Sequence, residues 1–239
     1  MLNFAIFDHL DSDGGPLGRF LENRLRLLEL IEQAGFQSYH LAEHHSTPLG
    51  MASRPSVFLA AAIQRTSTIR LGPLVYVLPL YHPLRLYEEI CMLDHLSRGR
   101  LTVGVGRGGA LIEHQRFGID PAVAPAMYHE AFAVLMRAFE NEVLDFEGRF
   151  YNYKDYVIQV RPVQRPHPPI WYGAPNADAI AWARAASTWY RWGPARGPAQ
   201  SAIATVTSGK NLGAMAGHCQ ALASLGTSSL LIATTRHER

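Results

Sequence analysis

The stretch FQSYHLAEHH, residues 36–45, decides the fold. Its alternation of apolar and polar residues predicts a short strand that ends in two histidines, His44 and His45. An amphipathic helix is predicted just before it, over residues 17–34, and Gly35 is a typical helix stop. Strand, helix and strand therefore occupy the first 42 residues. If the second strand belongs to a parallel barrel, its histidines lie at the end that carries the active site.

The same helix and strand unit repeats along the chain. Strands that alternate with helices of about ten to fifteen residues indicate parallel β/α units and argue against a β-sandwich. About four and a half units are complete by residue 186. The further predicted helices begin at Pro55, run over 83–96 and 127–141, and begin at 176. The further predicted strands run over 69–79, 100–106 and 168–174, and Pro73 indicates a break or an edge in the first of these. A hairpin is predicted over 146–160, with its turn near Gly148 or near 153–155.

Four short motifs follow one another along these units. They are LAEHH (41–45), LPLYHPLR (78–85), LDHLSRGR (93–100) and GVGRG (104–108), and RFGI (116–119) comes after them. In this order and spacing the chain resembles, over roughly residues 1–186, the bacterial luciferase-like family of flavin-dependent monooxygenases. The resemblance implies a TIM-type (β/α)8 barrel that uses reduced FMN and oxygen to oxygenate a small organic substrate through a flavin C4a-hydroperoxide.

The resemblance places His44 at the position of the family's catalytic histidine, an acid/base near the flavin. An imidazole suits this task because its pKa lies near neutrality, so that it both holds and releases a proton at the working pH. His45 is expected to point elsewhere, since successive side chains of an extended segment alternate between faces. A histidine that only caps a packed strand end is the alternative for either residue.

Two positions are candidates for the cofactor's phosphate. Arg107 lies between glycines after a predicted strand, where its guanidinium and the neighbouring amides can approach a phosphate, and the family's corresponding arginine does so. The alternative for Arg107 is a solvated arginine in an ordinary turn. By the same resemblance Asn176 opens the helix after strand five, although the family usually has Ser or Thr there and Asp178 is a nearby carboxylate.

Three positions are candidates for contact with the flavin ring. In relatives a cis peptide bond that does not involve proline follows the third strand against the ring, and here it would join Leu74 and Val75. Gly106 stands where bacterial luciferase itself carries a reactive cysteine. This difference argues against a luciferase in the strict sense, because the thiol is not a general requirement of the family.

Other functional classes receive less support from the motifs. The glycines of GVGRG do not match a dinucleotide-binding fingerprint, because no acidic residue follows about 20 residues later at a strand end. A metallohydrolase barrel is the main rival class, yet the histidines form no ligand motif, so no metal ligand is assigned. Without a nicotinamide motif, a separate flavin reductase is expected to supply reduced FMN. A deazaflavin-dependent hydride transfer and a non-catalytic truncated homologue or subunit remain alternatives.

Composition is typical of a globular protein of 239 residues with a net charge of +2. The two cysteines, Cys91 and Cys219, are far apart and do not suggest a disulfide scaffold. Asp8 interrupts the first apolar run, so no signal peptide is predicted, and no apolar run is long enough to span a bilayer. We expect a cytoplasmic protein that forms a homodimer through helices near the second and third units, as the resemblance implies.

The C-terminal segment differs in composition from the rest of the chain. From residue 187 onward Glu238 is the only acidic residue, so this segment carries about +4 and residues 1–186 about −2. The basic residues are scattered, which does not favour nucleic-acid binding. Within this segment, residues 202–206 and 229–234 are candidate strands and residues 212–225 are a candidate helix. We therefore predict a barrel portion over 1–186, an atypical segment over 187–239, and a barrel that is incomplete after the fifth β/α unit.

Overall fold

The computed structural model describes residues 2–173 and 230–235. Over these residues the strands are β1 (Leu2–Asp8), β2 (Ser38–Leu41), β3 (Arg70–Pro73), β4 (Tyr76–Val77), β5 (Val103–Gly106), β6 (Val143–Glu147), β7 (Asn152–Val157), β8 (Ile170–Tyr172) and β9 (Leu230–Thr235). The helices are α1 (Leu17–Gln33), α2 (Pro55–Arg65), α3 (Pro83–Leu96), α4 (Leu111–Arg116) and α5 (Ala124–Glu140), with a 3-10 turn at Leu78–Leu80.

Parallel strands form the wall of a barrel. β1, β2 and β3 pair in parallel, and so do β4, β5 and β8. A parallel bridge between Leu71 and Leu101 and the short link from β3 to β4 join the two groups. The five core strands that the sequence predicted are therefore present, with helices between them. The predicted third strand is divided into β3, which ends at Pro73 where a break was indicated, and β4. The cis peptide bond that the resemblance implied joins Leu74 and Val75 between them.

Strand β9 lies against β1 on the side away from β2, and it pairs antiparallel to β1. A complete (β/α)8 barrel places its eighth strand parallel to the first. A strand near residues 229–234 was expected, and β9 confirms it. The predicted boundary at residue 186, the helix from 176 and the two further elements expected in the tail, a strand over 202–206 and a helix over 212–225, lie outside the described residues, so the incomplete barrel stays a prediction.

The hydrophobic core lies between the outer face of the strands and the helices. Helix α1 buries Phe20, Leu27, Leu28 and Ile31 at helical spacing, and Gly35 after it adopts a positive φ of 81°. Helix α3 begins and ends as predicted, with Pro83 in the first turn. Within the described ranges, none of the helices combines the length and hydropathy that crossing a membrane requires.

The excursion after α5 is a hairpin of β6 and β7. It turns between Glu147 and Asn152, which confirms the first of the two predicted turn positions. The Glu130 carboxylate on α5 accepts hydrogen bonds from the backbone N–H groups of residues 149–151, at 3.0, 2.8 and 2.7 Å. A Cβ atom at Gly148 would collide with this carboxylate, so a larger residue at the turn would displace the Glu130 side chain. The hairpin is thus held to the barrel by α5.

Strand β2 carries a histidine that faces the barrel interior. His40 lies beside Gly72 of β3 and contacts the ring of Trp171 from β8, with ring centroids 5.4 Å apart. The residue is 2% exposed, and its Nε2 lies 3.1 Å from the Ser38 hydroxyl. Burial, with a smaller effect of the Arg70 charge, lowers the pKa of His40 from 6.5 to about 4. His40 is therefore a neutral side chain in the interior of the barrel near pH 7.

We expect the stability of the protein to fall in mild acid because of His40. In the unfolded chain this histidine takes up a proton near its ordinary pKa of 6.5, whereas in the folded chain it does so only near 4. Between pH 4 and pH 6.5 the unfolded chain binds more protons than the folded chain does. The contribution of His40 to the free energy of unfolding is therefore fully present above pH 6.5 and is lost as the pH falls towards 4. The expected loss is about 3 kcal/mol.

Denaturant unfolding of the wild type and His40→Gln at about pH 7.5 and pH 4.5 measures this effect. The pH dependence should be smaller in His40→Gln by about 2 to 3 kcal/mol. His82→Gln, at an exposed histidine, serves as the control and should behave like the wild type. An equal pH dependence in all three proteins would contradict the assignment.

Candidate active site

The C-terminal ends of the parallel strands carry polar side chains around one mouth of the barrel. His9 follows β1, His44 follows β2 and Arg107 follows β5. In a parallel barrel the carboxyl ends of the strands meet on one side, which is where active sites lie. The structure therefore places His44 and Arg107 on the side that the sequence predicted, and adds His9.

His44 is held by a carboxylate from helix α4. Its Nδ1 lies 3.2 Å from Glu113 Oε1, and the Glu113 side chain is only 3% exposed. The same oxygen accepts a hydrogen bond from the backbone N–H of His45 at 2.8 Å. An ionised carboxylate only accepts hydrogen bonds, so His44 carries a proton on Nδ1 and its Nε2 is left for chemistry. The His44 side chain remains 29% exposed.

His45 has a different set of partners. Its Nε2 lies 2.7 Å from Glu43 Oε1, and the other carboxylate oxygen of Glu43 accepts a hydrogen bond from the backbone N–H of Val77 at 3.0 Å. Glu43 and His45 are buried, with 4% and 8% exposure. The expectation that neighbouring histidines point to different surroundings is confirmed. Glu43 ties the end of β2 to β4, two residues beyond the cis peptide bond.

His9 stacks on His44. The two ring centroids are 5.4 Å apart and the ring planes differ by 12°. Phe7, two residues earlier in β1, makes an edge contact with the His9 ring at 4.7 Å between centroids. Burial lowers the pKa of His9, and the nearby His44 lowers it further, while Asp11 and Asp8 act in the opposite direction. Sequence reasoning did not identify His9 as a site residue.

The cis peptide bond between Leu74 and Val75 lies beside two glycines of β5, Gly104 and Gly106. Leu74 and Val75 are half-buried, whereas the residues on either side of them are buried. A Cβ atom at Gly106 would lie 2.7 Å from Val75 Cγ2, and one at Gly104 would lie 2.5 Å from the Pro73 carbonyl. Val75 therefore fills the space that a cysteine at position 106 would need. The resulting surface suits a flat ring.

Arg107 is exposed, and its backbone is fixed by α4. His114 Nε2 donates a hydrogen bond to the Arg107 carbonyl at 2.8 Å. Gly108 has a positive φ of 81°, and a Cβ atom there would lie 2.7 Å from Val77 Cγ1. Burial raises the pKa of Tyr172, and the charge of Arg107 opposes this change, which places the guanidinium near the end of β8. Asn176, the other candidate for the phosphate, lies outside the described residues.

Comparison with known proteins decides the family. The family model described as luciferase-like monooxygenase matches residues 2–239. The chain belongs to the luciferase-like monooxygenase family.

Several curated members of this family are similar in sequence. Uncharacterized protein y4wF of Sinorhizobium fredii is 47% identical over 76% of this chain and 53% of its own length. Limonene 1,2-monooxygenase of Rhodococcus erythropolis is 36% identical over 58% of this chain and 36% of its own length. The oxygenase component of the flavin-dependent trigonelline monooxygenase of Acinetobacter baylyi is 27% identical over 75% and 51%. The chain thus spans about half the length of most of the curated relatives it matches, and 36% of the limonene enzyme.

Solved structures of the family share the fold. The monooxygenase RslO1 of Streptomyces bottropensis superposes with a TM-score of 0.69 and 33% identity, over 75% of this chain and 57% of RslO1. The oxygenating constituent of 3,6-diketocamphane monooxygenase of Pseudomonas putida, in complex with FMN, has a TM-score of 0.66 and 20% identity over 72% and 51%. The coenzyme F420-dependent tetrahydromethanopterin reductase of Methanopyrus kandleri has a TM-score of 0.60 and 22% identity, over 76% of this chain and 53% of the reductase.

The candidate site of this member of the luciferase-like monooxygenase family contains two side chains that sequence reasoning missed, His9 and Glu113. The alternation of Phe7 and His9 at the end of a strand was a usable signal, because it puts both side chains on one face. Glu113 had no comparable signal, since it lies 69 residues from His44 on a short helix. In the described part of the chain, no three His, Cys, Asp or Glu residues form a group suited to a metal ion.

Proposed function

We propose that this chain is the oxygenating part of a flavin-dependent monooxygenase that uses reduced FMN and oxygen to oxygenate a small organic substrate. The observation that carries the proposal is the His44–Glu113 pair, which lies at the barrel mouth defined by the strand ends. Gly106 presents no side chain of its own beside the Leu74–Val75 peptide bond, and both belong to the same strand ends. One group able to move protons and one flat surface are thus available to a flavin.

The residues present fit FMN in this position. The isoalloxazine ring would lie on Leu74, Val75 and Gly106, where no side chain of the glycine blocks it. Arg107, exposed at the end of β5, would bind the phosphate by charge-assisted hydrogen bonds. Asn176 remains a proposed second phosphate ligand on the basis of the sequence.

The protein's own chemical task is to manage protons. Reduced FMN, when bound, supplies the electrons that activate oxygen. His44 donates or accepts a proton at Nε2 while its Nδ1 stays bonded to Glu113. The buried Glu113 carboxylate stabilises the imidazolium form of His44 and keeps its ring in one orientation, as an orienting carboxylate does for other catalytic histidines.

The relatives support this chemistry. Two of them are named as monooxygenases, and one of these as the oxygenase component of a flavin-dependent enzyme. An oxygenase component receives its reduced flavin from elsewhere, so we infer a separate flavin reductase as partner. We also retain the homodimer as a proposal.

A deazaflavin-dependent hydride transfer is the second candidate. It is favoured by the likeness of the fold to an F420-dependent reductase, at a TM-score of 0.60. The same barrel mouth would then bind a deazaflavin, and oxygen would take no part. Binding measurements with the two reduced cofactors distinguish the candidates.

Replacement of Arg107 by alanine is expected to weaken binding of reduced FMN roughly tenfold to thirtyfold, because one charge-assisted contact to the phosphate is lost. Anaerobic titration of the purified protein with reduced FMN, followed by flavin fluorescence, measures this change. Arg85→Ala, at an exposed arginine on α3, is the matched control and should bind as the wild type does.

Each outcome of this titration is informative. Tighter binding of a reduced deazaflavin than of reduced FMN would favour hydride transfer. A folded wild type that binds neither cofactor would refute the proposed function and support a non-catalytic homologue. Equal weakening in Arg107→Ala and Arg85→Ala would remove Arg107 from the site.

A further inference from the structure

His9 is a half-buried titratable group that the proposed function does not use. Its Nδ1 atom is buried and, among the described residues, has no hydrogen-bond partner. The His9 ring stacks on His44 and makes an edge contact with Phe7. A second imidazole is therefore fixed against the first at the barrel mouth, 5.4 Å away.

Two imidazolium rings at this distance repel each other. Three carboxylates face the pair of histidines. They are Asp8 at the end of β1, Asp11 three residues later, and Glu113 on α4. Asp8 is already engaged, since it accepts hydrogen bonds from the Tyr39 hydroxyl at 2.7 Å and from Arg24 at 3.4 Å. Glu113 is bonded to His44 and not to His9. A carboxylate is thus hydrogen-bonded to His44, whereas none is hydrogen-bonded to His9 Nδ1 among the described residues. Burial and the charge of His44 oppose a charge on His9 more strongly than Asp11 and Asp8 favour it.

We propose that His9 and His44 hold one proton charge between them, with the positive charge on His44 and with His9 as its neutral positioning partner. The flat face of His9 fixes the His44 ring from the side, while Glu113 fixes it at Nδ1. A neutral His9 also avoids a second positive charge beside the flavin site. The inference rests on the proposed function only for the acid/base role of His44; the charge of the pair is independent of it.

The charge distribution is measured by NMR titration of the histidine rings in the cofactor-free protein. His9→Phe identifies the signal of His9, and that signal is then followed in the wild type, in His44→Phe and in His44→Gln. Removal of the charge at position 44 should raise the proton affinity of His9 roughly threefold to tenfold, in both variants, because the repulsion is lost. His82→Phe, at an exposed histidine, is the control and should leave His9 unchanged.

The result that overturns the proposal is a His9 proton affinity that changes less than about twofold in both His44 variants, because burial alone would then account for it. A wild type in which His9 takes up its proton at the higher pH of the two rings would also overturn it. The flavin titration of the same proteins is a separate readout. Coupled histidines without flavin binding would refute the proposed function and leave this inference in place.

Discussion

Glu43→Ala should lower the free energy of unfolding by about 4 kcal/mol, the largest stability effect expected of any single change at the site. The Glu43 carboxylate is 4% exposed and accepts hydrogen bonds from His45 Nε2 and from the Val77 N–H group. Its removal leaves the buried His45 Nε2 and the Val77 N–H group without their carboxylate partner. Denaturant unfolding followed by circular dichroism measures the loss.

Two further variants define this effect. Glu43→Gln keeps the size of the side chain and an oxygen that can accept from Val77, so its loss should be about half as large. Glu147→Ala, at an exposed glutamate of β6, should change stability by less than about 0.5 kcal/mol. If Glu43→Ala costs less than about 1 kcal/mol, the link between β2 and β4 does not stabilise the barrel mouth.

Glu113→Gln should reduce turnover about a hundredfold while reduced-flavin affinity changes less than about threefold. The amide of glutamine can still accept from the His45 N–H group, so the local structure is retained. It carries no negative charge, however, and no longer stabilises a protonated His44. The measurement compares turnover, with the best substrate from a screen of small organic compounds, against the dissociation constant for reduced FMN.

A double-substitution cycle tests whether Glu113 acts through His44. The variant that combines His44→Asn with Glu113→Gln should be no slower than His44→Asn alone, because residues that act as a unit give non-additive losses. Gln115→Ala, at an exposed residue of the same helix, is the control for helix α4 and should retain turnover. Fully additive losses would mean that Glu113 has a role independent of His44.

The sequence predicted most of the fold because its elements carry local signals. Helix α3 combines Pro83 in its first turn with apolar residues at helical spacing, and its limits agreed with prediction. Helix α4 was missed because its six residues are too few to show a period. The division of the third strand was indicated in part. Pro73 marked a break in the run over 69–79, but only the family resemblance indicated the cis bond.

The site was predictable only in its motif residues. His44, Arg107 and the Leu74–Val75 bond came from short motifs, and the structure brings them to one barrel mouth. The partners that orient His44 came from distant parts of the chain, so no local pattern marked them. Glu113 reaches His44 only because α4 folds back over the end of β2. Pairings between positions far apart in sequence are set by the fold.

The pairing of β1 with β9 has a consequence for the synthesis of the protein. About 220 residues separate the end of β1 from the start of β9. At roughly 5 to 20 residues per second, the ribosome needs about 10 to 45 seconds to make this stretch. During that time one edge of the first strand to emerge offers its free N–H and C=O groups to any other nascent strand. Slow translation of this chain should therefore increase its dependence on chaperones that shield strand edges.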